Sequence, residues 1–215
     1  MSSAARGPLV VLDVDSTLIG QEVVDLLADA AGVGQDVAAI TAAAMRGELD
    51  FAASLARRVA LLEGLPESVL AAARARITVT DGVPALIEAV HAAGGLVCAV
   101  SGGFDRVLAP LAEELGLDRW RANALGVADG RLTGRVEGPV IDGQAKRAAL
   151  LEWAAEARVP LSRTVAIGDG ANDLLMLETA ALGVAFDAKP AVRDRADVVL
   201  PGRDLSPVIA LLALP

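Results

Sequence analysis

Short apolar runs rich in β-branched residues alternate with helical stretches along most of the chain, and this alternation restricts the fold more than any other feature. The runs are 9–14, 96–101, 164–168, 183–186 and 197–200. The stretches between them, among them 83–94, 146–157 and 172–181, contain Leu, Val and Ala at helical spacing. Apolar strands that alternate with helices form a parallel sheet covered on both faces. The pattern therefore predicts an α/β fold, a Rossmann-like parallel sheet with helices on both faces.

Two segments interrupt the alternation. Residues from about 20 to 78 contain no strand-like run and consist of helical stretches separated by Gly and Pro, which predicts a small inserted helical cap. Residues 123–138 have Asp129-Gly130 between two β-like runs, which predicts a β-hairpin at the sheet edge. We therefore expect a core domain of residues 1–18 and 80–215 and a helical cap domain of residues 19–79. Pro110 leaves two alternatives for its helix, a kink or a later start.

Charge and composition exclude several classes of partner. The chain has 19 basic and 28 acidic residues, and the resulting charge of −9 repels nucleic acid and anionic lipid. Cys98, the single cysteine, has no disulfide partner, and we expect a small buried hydrophobe in a reducing compartment. The sequence shows no secretory signal and no long apolar span. We therefore expect a cytoplasmic protein with a small-molecule partner, and leave a homodimer as an open alternative.

Acidic residues follow two of the predicted strands. Asp13 and Asp15 end the first apolar run, and alternate residues of a strand project to the same face. A lone D-x-D is weak evidence, but near the other end of the chain Asp169, Asn172 and Asp173 follow another strand in VAIGDGANDLLML. Both clusters should meet at one sheet edge, where neighbouring carboxylates must be protonated or share a cation. Oxygen ligands without a His/Cys cluster favour Mg²⁺ over zinc.

Two further segments could bind an anion. Ser101-Gly102-Gly103 ends the run 96–101 and precedes a helical stretch, so a hydroxyl and backbone N–H groups would form a phosphate cradle at a helix N-terminus. Lys146 lies near the start of another helix, where a cation opposes the helix dipole and so invites a charged partner. Each feature alone has an ordinary explanation, a turn for the first and a surface lysine for the second.

In order along the chain, these four segments resemble the signature of the haloacid dehalogenase superfamily: D-x-D-x-T, a Ser or Thr after a strand, a Lys, and G-D-x-x-N-D. The sequence is most similar to the phosphoserine phosphatase members. The resemblance covers residues 9 to about 200, and GQEVVDLLADAAG and AMRGELDFAASLARRV resemble the cap of that family. It implies Mg²⁺-dependent hydrolysis of O-phospho-L-serine to L-serine and phosphate through an aspartyl-phosphate, the last step of serine biosynthesis.

The resemblance also implies the site residues. The catalytic pair is Asp13, the nucleophile, and Asp15, the general acid and base. Within the cap, Glu22 corresponds to the residue that meets the substrate ammonium, and Arg58 to the one that meets its carboxylate. The complete set for substrate binding is Glu22, Met45, Phe51, Arg58, Ser101, Gly102, Gly103, Lys146 and Asn172, and the implied metal ligands are Asp13, Asp15, Asp169 and Asp173.

Three alternatives remain at this level. The same residues could transfer the phosphoryl group to an alcohol such as homoserine instead of water. A phospho-accepting receiver domain also has an acidic pocket and a lysine on a doubly wound sheet, although it has no cap. A catalytically idle scaffold is the third alternative. If the chain is a phosphatase, the cap should close over the pocket, with hinges near Gly20 and at residues 80–82.

Overall fold

A seven-stranded sheet forms the centre of the protein. The computed structural model of the chain describes residues 7–212, apart from the side chain of Met45. The strand order is β4-β3-β2-β1-β5-β6-β7, and only β4 is antiparallel to its neighbour. The strands are β1 (Leu9–Leu12), β2 (Leu96–Phe104), β3 (Arg119–Ala128), β4 (Arg131–Glu137), β5 (Thr164–Gly168), β6 (Leu182–Phe186) and β7 (Val198–Leu200).

Helices cover both faces of this sheet. All four residues of β1 are buried, and alternate residues face opposite sides: Val10 and Leu12 belong to one apolar cluster, Leu9 and Val11 to the other. A strand buried on both faces needs a continuous apolar run rather than an alternating one. The helices of the core are α5 (Val83–Ala92), α6 (Asp105–Leu115), α7 (Gly143–Ala157), α8 (Leu174–Thr179), α9 (Pro190–Arg193) and α10 (Ser206–Leu211). The predicted α/β fold class is therefore confirmed.

Among the element boundaries that differ from the sequence-based prediction, three lie beside the carboxyl edge of the sheet. Strand β1 ends at Leu12, because a wide turn over Val14–Leu18 follows it, closed by a Leu18 N–H to Asp13 carbonyl bond of 3.2 Å. Strand β2 extends through the predicted Ser-Gly-Gly turn to Phe104. Helix α8 begins at Leu174 after a short 3₁₀ turn, Ala171–Asp173.

Helix α6 and the β3–β4 hairpin settle two further points. Helix α6 begins at Asp105 and continues through Pro110, so the alternative of a later start is wrong. The hairpin turns at Asp129 and Gly130, whose φ angles are 51° and 70°, and positive φ at both central residues is what a two-residue hairpin loop requires. Strand β4 lies at the edge of the sheet, as predicted. Cys98 is buried in β2, and burial raises the pKa of its thiol to about 12.

Four helices form the inserted segment over the carboxyl edge of the sheet: α1 (Val23–Ala31), α2 (Gly34–Met45), α3 (Phe51–Ala60) and α4 (Ser68–Arg74). The two chain crossings that join this segment to the core run side by side. Gly20 donates to the Thr78 carbonyl at 2.9 Å, and Thr80 donates to the Leu18 carbonyl at 3.0 Å. The inserted helical layer is therefore present. The exact domain boundaries stay a prediction.

The loop between α3 and α4 makes a third connection to the core, which the sequence did not predict. It pairs with the hairpin through three backbone hydrogen bonds: Gly64 N–H to Leu132 O at 2.9 Å, Leu132 N–H to Leu65 O at 2.8 Å, and Glu67 N–H to Gly130 O at 2.8 Å. Arg106 of α6 reinforces the contact with an ion pair to Glu67 at 2.7 Å. The far side of the helical layer is thus joined to the hairpin as well as to the two crossings.

Candidate active site

The carboxyl ends of β1, β2 and β5 form the floor of a cavity of about 250 Å³. Strand β1 lies between the other two, and the chain moves to opposite sides of it to form them, so the cavity lies at a topological switch point. The helical layer forms its roof. The lining residues are Asp13, Asp15, Glu22, Val24, Asp25, Thr41, Phe51, Leu55, Arg58, Gly102, Gly103, Phe104, Asp169, Gly170, Asn172 and Lys189.

Three carboxylates converge on the floor of the cavity. Asp13, Asp169 and Asp173 each offer an oxygen, and these oxygens all lie within 4.8 Å of one another. Asp13 follows β1, where its N–H donates to the Ile167 carbonyl of β5 at 2.9 Å. Asp173 is fully buried, and one of its oxygens accepts the N–H of Gly170 at 3.0 Å. Acidic groups from opposite ends of the chain therefore meet, as the sequence predicted.

Lys146 neutralises part of this negative charge. Helix α7 begins at Gly143 after an Asp142 cap, and Lys146 lies in its first turn with no exposed surface. Its ammonium group pairs with Asp13 and, at 2.7 Å, with Asp173. Burial alone would lower the pKa of Lys146, but the carboxylates of Asp13 and Asp173 outweigh it and raise that pKa. The ordinary explanation of Lys146 as a surface residue is therefore wrong.

The donor set fits a hard divalent cation. Burial, followed by the charge of Asp173, raises the pKa of Asp13 well above its usual value even though Lys146 opposes the shift. The same two causes raise the pKa of Asp169 to about 6. The cluster is thus more negative than its surroundings can compensate, and a further cation would relieve it. Since every converging ligand atom is a carboxylate oxygen, the three residues could hold a hard divalent metal ion.

Asp15 stands apart from the three converging carboxylates. One of its oxygens accepts the N–H of Val23 at 2.8 Å, and the other accepts the hydroxyl of Ser101 at 3.1 Å. Burial, followed by the charge of Glu22, raises the pKa of Asp15 to about 7. A carboxyl group with that pKa can both give and accept a proton near neutral pH. The metal-ligand role predicted for Asp15 stays a prediction.

Ser101, Gly102 and Gly103 lie at the end of β2, beside Asp15. The N–H of Gly103 donates to the Ser101 hydroxyl at 2.7 Å, and a Cβ atom on Gly103 would lie 2.7 Å from an Asp15 oxygen. The buried Asn123 of β3 fixes this segment, because its amide donates to the Gly102 carbonyl at 2.8 Å and its oxygen accepts from the Ile141 N–H at 2.8 Å. The segment is therefore narrow and rigidly supported, as a binding site for a small anion requires.

Three of the four predicted cap residues, Glu22, Phe51 and Arg58, line the same cavity. Glu22 immediately precedes α1 and Arg58 lies near the end of α3, half-buried. Burial lowers the pKa of Arg58, and the carboxylates of Glu22 and Asp25 oppose that effect. The Phe51 ring lies over Gly102, where a Cβ atom would be 2.7 Å from its tip. Met45 ends α2, but its side chain lies outside the part of the structure described.

Asn172 lines the cavity beside Asp169. Thr17, Asp25 and Lys189 are among the residues in or beside the site that were not singled out from the sequence. Thr17 donates to Asp169 at 3.4 Å, and it is the threonine of the D-x-D-x-T motif itself. Asp25 lies one helical turn after Glu22 on α1, so helical spacing could have identified it. Lys189 follows β6, the next strand beyond β5, and the rule that ligands gather at carboxyl edges would have drawn attention to it.

Comparison with known proteins places this arrangement in a family. The family model of haloacid dehalogenase-like hydrolases matches residues 10–178. A phosphoserine phosphatase of Streptococcus thermophilus is 50% identical over 204 residues, which are 95% of this chain and 95% of that protein. A phosphoserine phosphatase of Streptomyces coelicolor is 54% identical over 206 residues, 96% of this chain, but the chain spans only 50% of that relative's length.

Two solved structures superpose over nearly the whole chain. One is a phospho-aspartyl intermediate analogue of phosphoserine phosphatase, with a TM-score of 0.91 and 42% identity over 96% of this chain and 99% of that one. The other is a substrate-bound phosphoserine phosphatase complex, also with a TM-score of 0.91 and 42% identity, over 96% and 98% of the two chains. Within residues 7–212, no helix is long and apolar enough to cross a membrane.

Proposed function

The chain belongs to the haloacid dehalogenase-like hydrolase family, and on that premise we propose that it is a Mg²⁺-dependent phosphoserine phosphatase that hydrolyses O-phospho-L-serine to L-serine and phosphate, the last step of serine biosynthesis. One observation supports this more than any other. A single cavity has carboxylates and the glycines of the Ser-Gly-Gly segment on its floor, and Arg58 and Glu22 on its roof. Lys146 is buried beneath the floor and pairs with Asp13. The floor suits a phosphate, and the roof suits the carboxylate and ammonium of an amino acid.

In this proposal Asp13 is the nucleophile. Its carboxylate oxygen attacks phosphorus, the bond from phosphorus to the seryl oxygen breaks, and Asp15 gives a proton to the departing oxygen. Asp15 then takes a proton from a water molecule, whose oxygen attacks phosphorus and breaks the bond to Asp13, which releases inorganic phosphate. A pKa of about 7 for Asp15 supports both roles, because neither protonation state is then costly near neutral pH.

Charge balance on the floor supports the choice of Asp13. A carboxylate approaching a phosphate dianion is repelled, and the ion pair with Lys146 offsets part of that repulsion. Asp13, Asp169 and Asp173 would hold Mg²⁺, with Asp15 proposed as a fourth residue of the metal site. A bound Mg²⁺ would neutralise negative charge on the phosphate oxygens and orient the phosphate toward the nucleophile. Ser101, Gly102 and Gly103 would bind phosphate oxygens, and Asn172 would support the site.

Selectivity would come from the helical layer. Arg58 can bind a carboxylate with two parallel hydrogen bonds, and Glu22 can accept from an ammonium group. Phe51 would form an apolar side of the pocket, and the substrate-binding role predicted for Met45 stays a prediction. We propose residues 19–79 as the cap domain, hinged at the paired crossings near Gly20 and residues 80–82. The hairpin contact of Gly64 and Glu67 would restrict its opening to the part of the layer nearest the cavity.

The deciding experiment measures phosphate release from a panel of phosphate monoesters, with Mg²⁺ and with EDTA. We expect phosphoserine to lead the panel and EDTA to abolish release. Arg58→Ala should lower kcat/KM for phosphoserine roughly 100-fold, because a charge-assisted pair to the substrate carboxylate is lost. An aryl phosphate, which has no carboxylate, should change less than about threefold, since its binding includes no such pair.

Arg57→Ala is the matched control, because Arg57 precedes Arg58 on α3 but is exposed and does not line the cavity. Arg57→Ala should leave kcat/KM unchanged for both phosphoserine and the aryl phosphate. Equal losses on both substrates with Arg58→Ala would place the carboxylate site elsewhere. If phosphohomoserine accumulated with homoserine present and phosphoserine as donor, the protein would be a phosphotransferase rather than a hydrolase. The cytoplasmic location and the oligomeric state stay predictions from the sequence.

A further inference from the structure

Ser16 has a backbone conformation that residues with a side chain rarely adopt. Its φ and ψ are 60° and 1°, in the left-handed region, and it lies in the turn between the two residues Asp15 and Thr17. That region is disfavoured for any residue with a Cβ atom, whereas glycine enters it freely. Glycine would thus satisfy the turn at lower cost. A serine at this position has a backbone cost, and its hydroxyl makes a hydrogen bond that glycine could not make.

The hydroxyl of Ser16 donates a hydrogen bond to Glu22 at 2.8 Å. Glu22 occupies the cap position of α1, yet its carboxylate makes no capping bond to its own helix. The side chain is exposed at the cavity, where a free glutamate would sample several rotamers. Ser16 therefore fixes a carboxylate that its own helix leaves unrestrained. The bond engages one of the two carboxylate oxygens, and the other can accept from a ligand.

A second hydrogen bond reinforces this arrangement. Val23, which follows Glu22, donates its N–H to Asp15 at 2.8 Å. Two consecutive residues of the turn after β1, Asp15 and Ser16, therefore hydrogen-bond to two consecutive residues at the start of α1. The turn itself is anchored to the floor by the bond from Thr17 to Asp169. The position of Glu22 therefore depends on contacts with residues around the phosphate site as well as on the helical layer.

We propose that Ser16 is a positioning residue for substrate selectivity: its hydroxyl holds the Glu22 carboxylate where the ammonium group of the substrate binds. The inference rests on the proposed function. Ser16 itself does not line the cavity and acts through Glu22. A residue with this role should matter for substrates that have an ammonium group and not for those without one. A merely structural role in the turn would affect every substrate alike.

The test compares Ser16→Gly, Ser16→Asn and wild type on phosphoserine and on an aryl phosphate. Glycine removes the hydroxyl and suits the backbone, so kcat/KM for phosphoserine should fall roughly tenfold, mainly through KM, while the aryl phosphate changes less than about twofold. Asparagine also tolerates positive φ and offers an amide donor, so it should retain more of the selectivity than glycine. Ser68→Ala, an exposed serine of the helical layer, should change neither substrate.

A double-mutant cycle makes the test independent of folding. In the Glu22→Ala background, Ser16→Gly should change phosphoserine kcat/KM less than about twofold, because the acceptor that Ser16 positions is absent. Fully additive losses, or an equal fall on the aryl phosphate, would overturn the inference and leave the proposed function intact. A wild-type protein with no preference for phosphoserine over the aryl phosphate would refute the proposed function and this inference together.

Discussion

Lys146→Met offers the sharpest test of the charge balance on the cavity floor. Methionine has nearly the volume of lysine, so packing changes little and the main effect is the loss of one buried positive charge. Asp13, Asp169 and Asp173 then remain with oxygens within 4.8 Å of one another. Two unit charges 4.8 Å apart repel by about 3.5 kcal/mol at an effective dielectric constant of 20.

Removing one partner of a buried ion pair typically costs about 3–5 kcal/mol, because the remaining charges stay buried without their compensating partner. We expect the free energy of unfolding in EDTA to fall by about 4 kcal/mol, which for a chain of this size lowers the melting temperature by roughly 8–16 °C. Added Mg²⁺ should stabilise the variant more than wild type, because the cation replaces the missing charge. Phosphate release should fall at least roughly 100-fold, since one group that neutralises charge in the transition state is gone.

The assay is urea unfolding followed by circular dichroism, in EDTA and in Mg²⁺, at one pH. Lys189→Met is the control, because Lys189 is an exposed cation that lines the same cavity and should cost less than about 1 kcal/mol. An unchanged urea midpoint for Lys146→Met in EDTA would refute the reasoning. It would mean that the carboxylates do not depend on the ammonium group of Lys146 for their stability in the folded protein.

Two further predictions follow from the geometry and charge of the site. Gly102→Ala should lower phosphoserine kcat/KM roughly tenfold with little loss of stability, because the new methyl group would displace the movable ring tip of Phe51. Gly116→Ala is the control, since Gly116 has a φ of 72° and no neighbour within 4 Å of an added Cβ atom. It should lower the free energy of unfolding by about 1 kcal/mol and leave kcat/KM unchanged. In EDTA, the urea midpoint of wild type should rise as the pH is lowered from 8 to 6. The reason is that the pKa values of Asp15 and Asp169, about 7 and 6, lie above their unfolded values, so the folded chain binds more protons in that range; a midpoint that falls toward pH 6 would contradict those pKa shifts.

The regular part of the fold could be predicted because it depends on local patterns. Apolar runs such as 164–168 became strands with the predicted bounds, and Asp129-Gly130 gave the predicted hairpin. The errors lie where the chain leaves the sheet. Asp13 and Asp15 do not share a strand face, because β1 ends at Leu12 and a hydrogen-bonded turn sets the direction of Asp15. Strand propensity does not encode such a turn.

The sequence predicted many of the residues that gather at the cavity, but not the contacts between them. The order of motifs indicated Asp13, Lys146 and Asp169, since each follows a strand or opens a helix at one edge of the sheet. Asp25 lies one turn after Glu22 on α1 and Lys189 follows β6, and only the packed structure shows that both line the cavity. The ion pair of Lys146 with Asp173 likewise required coordinates, because sequence separation says nothing about burial.

The sequence by itself determined the parallel sheet, the helical insertion and the types of residue at the carboxyl edge, because hydrophobic period and turn chemistry are local properties of the chain. Tertiary structure decided which of those residues share charge and which hold one another in place. Lys146 is fully buried among residues far from it in sequence, and Gly64 contacts the hairpin. The bond from Ser16 to Glu22 depends on the unusual backbone angles of Ser16. Coulomb energies and hydrogen bonds depend on distance in space, and only the packed chain sets those distances.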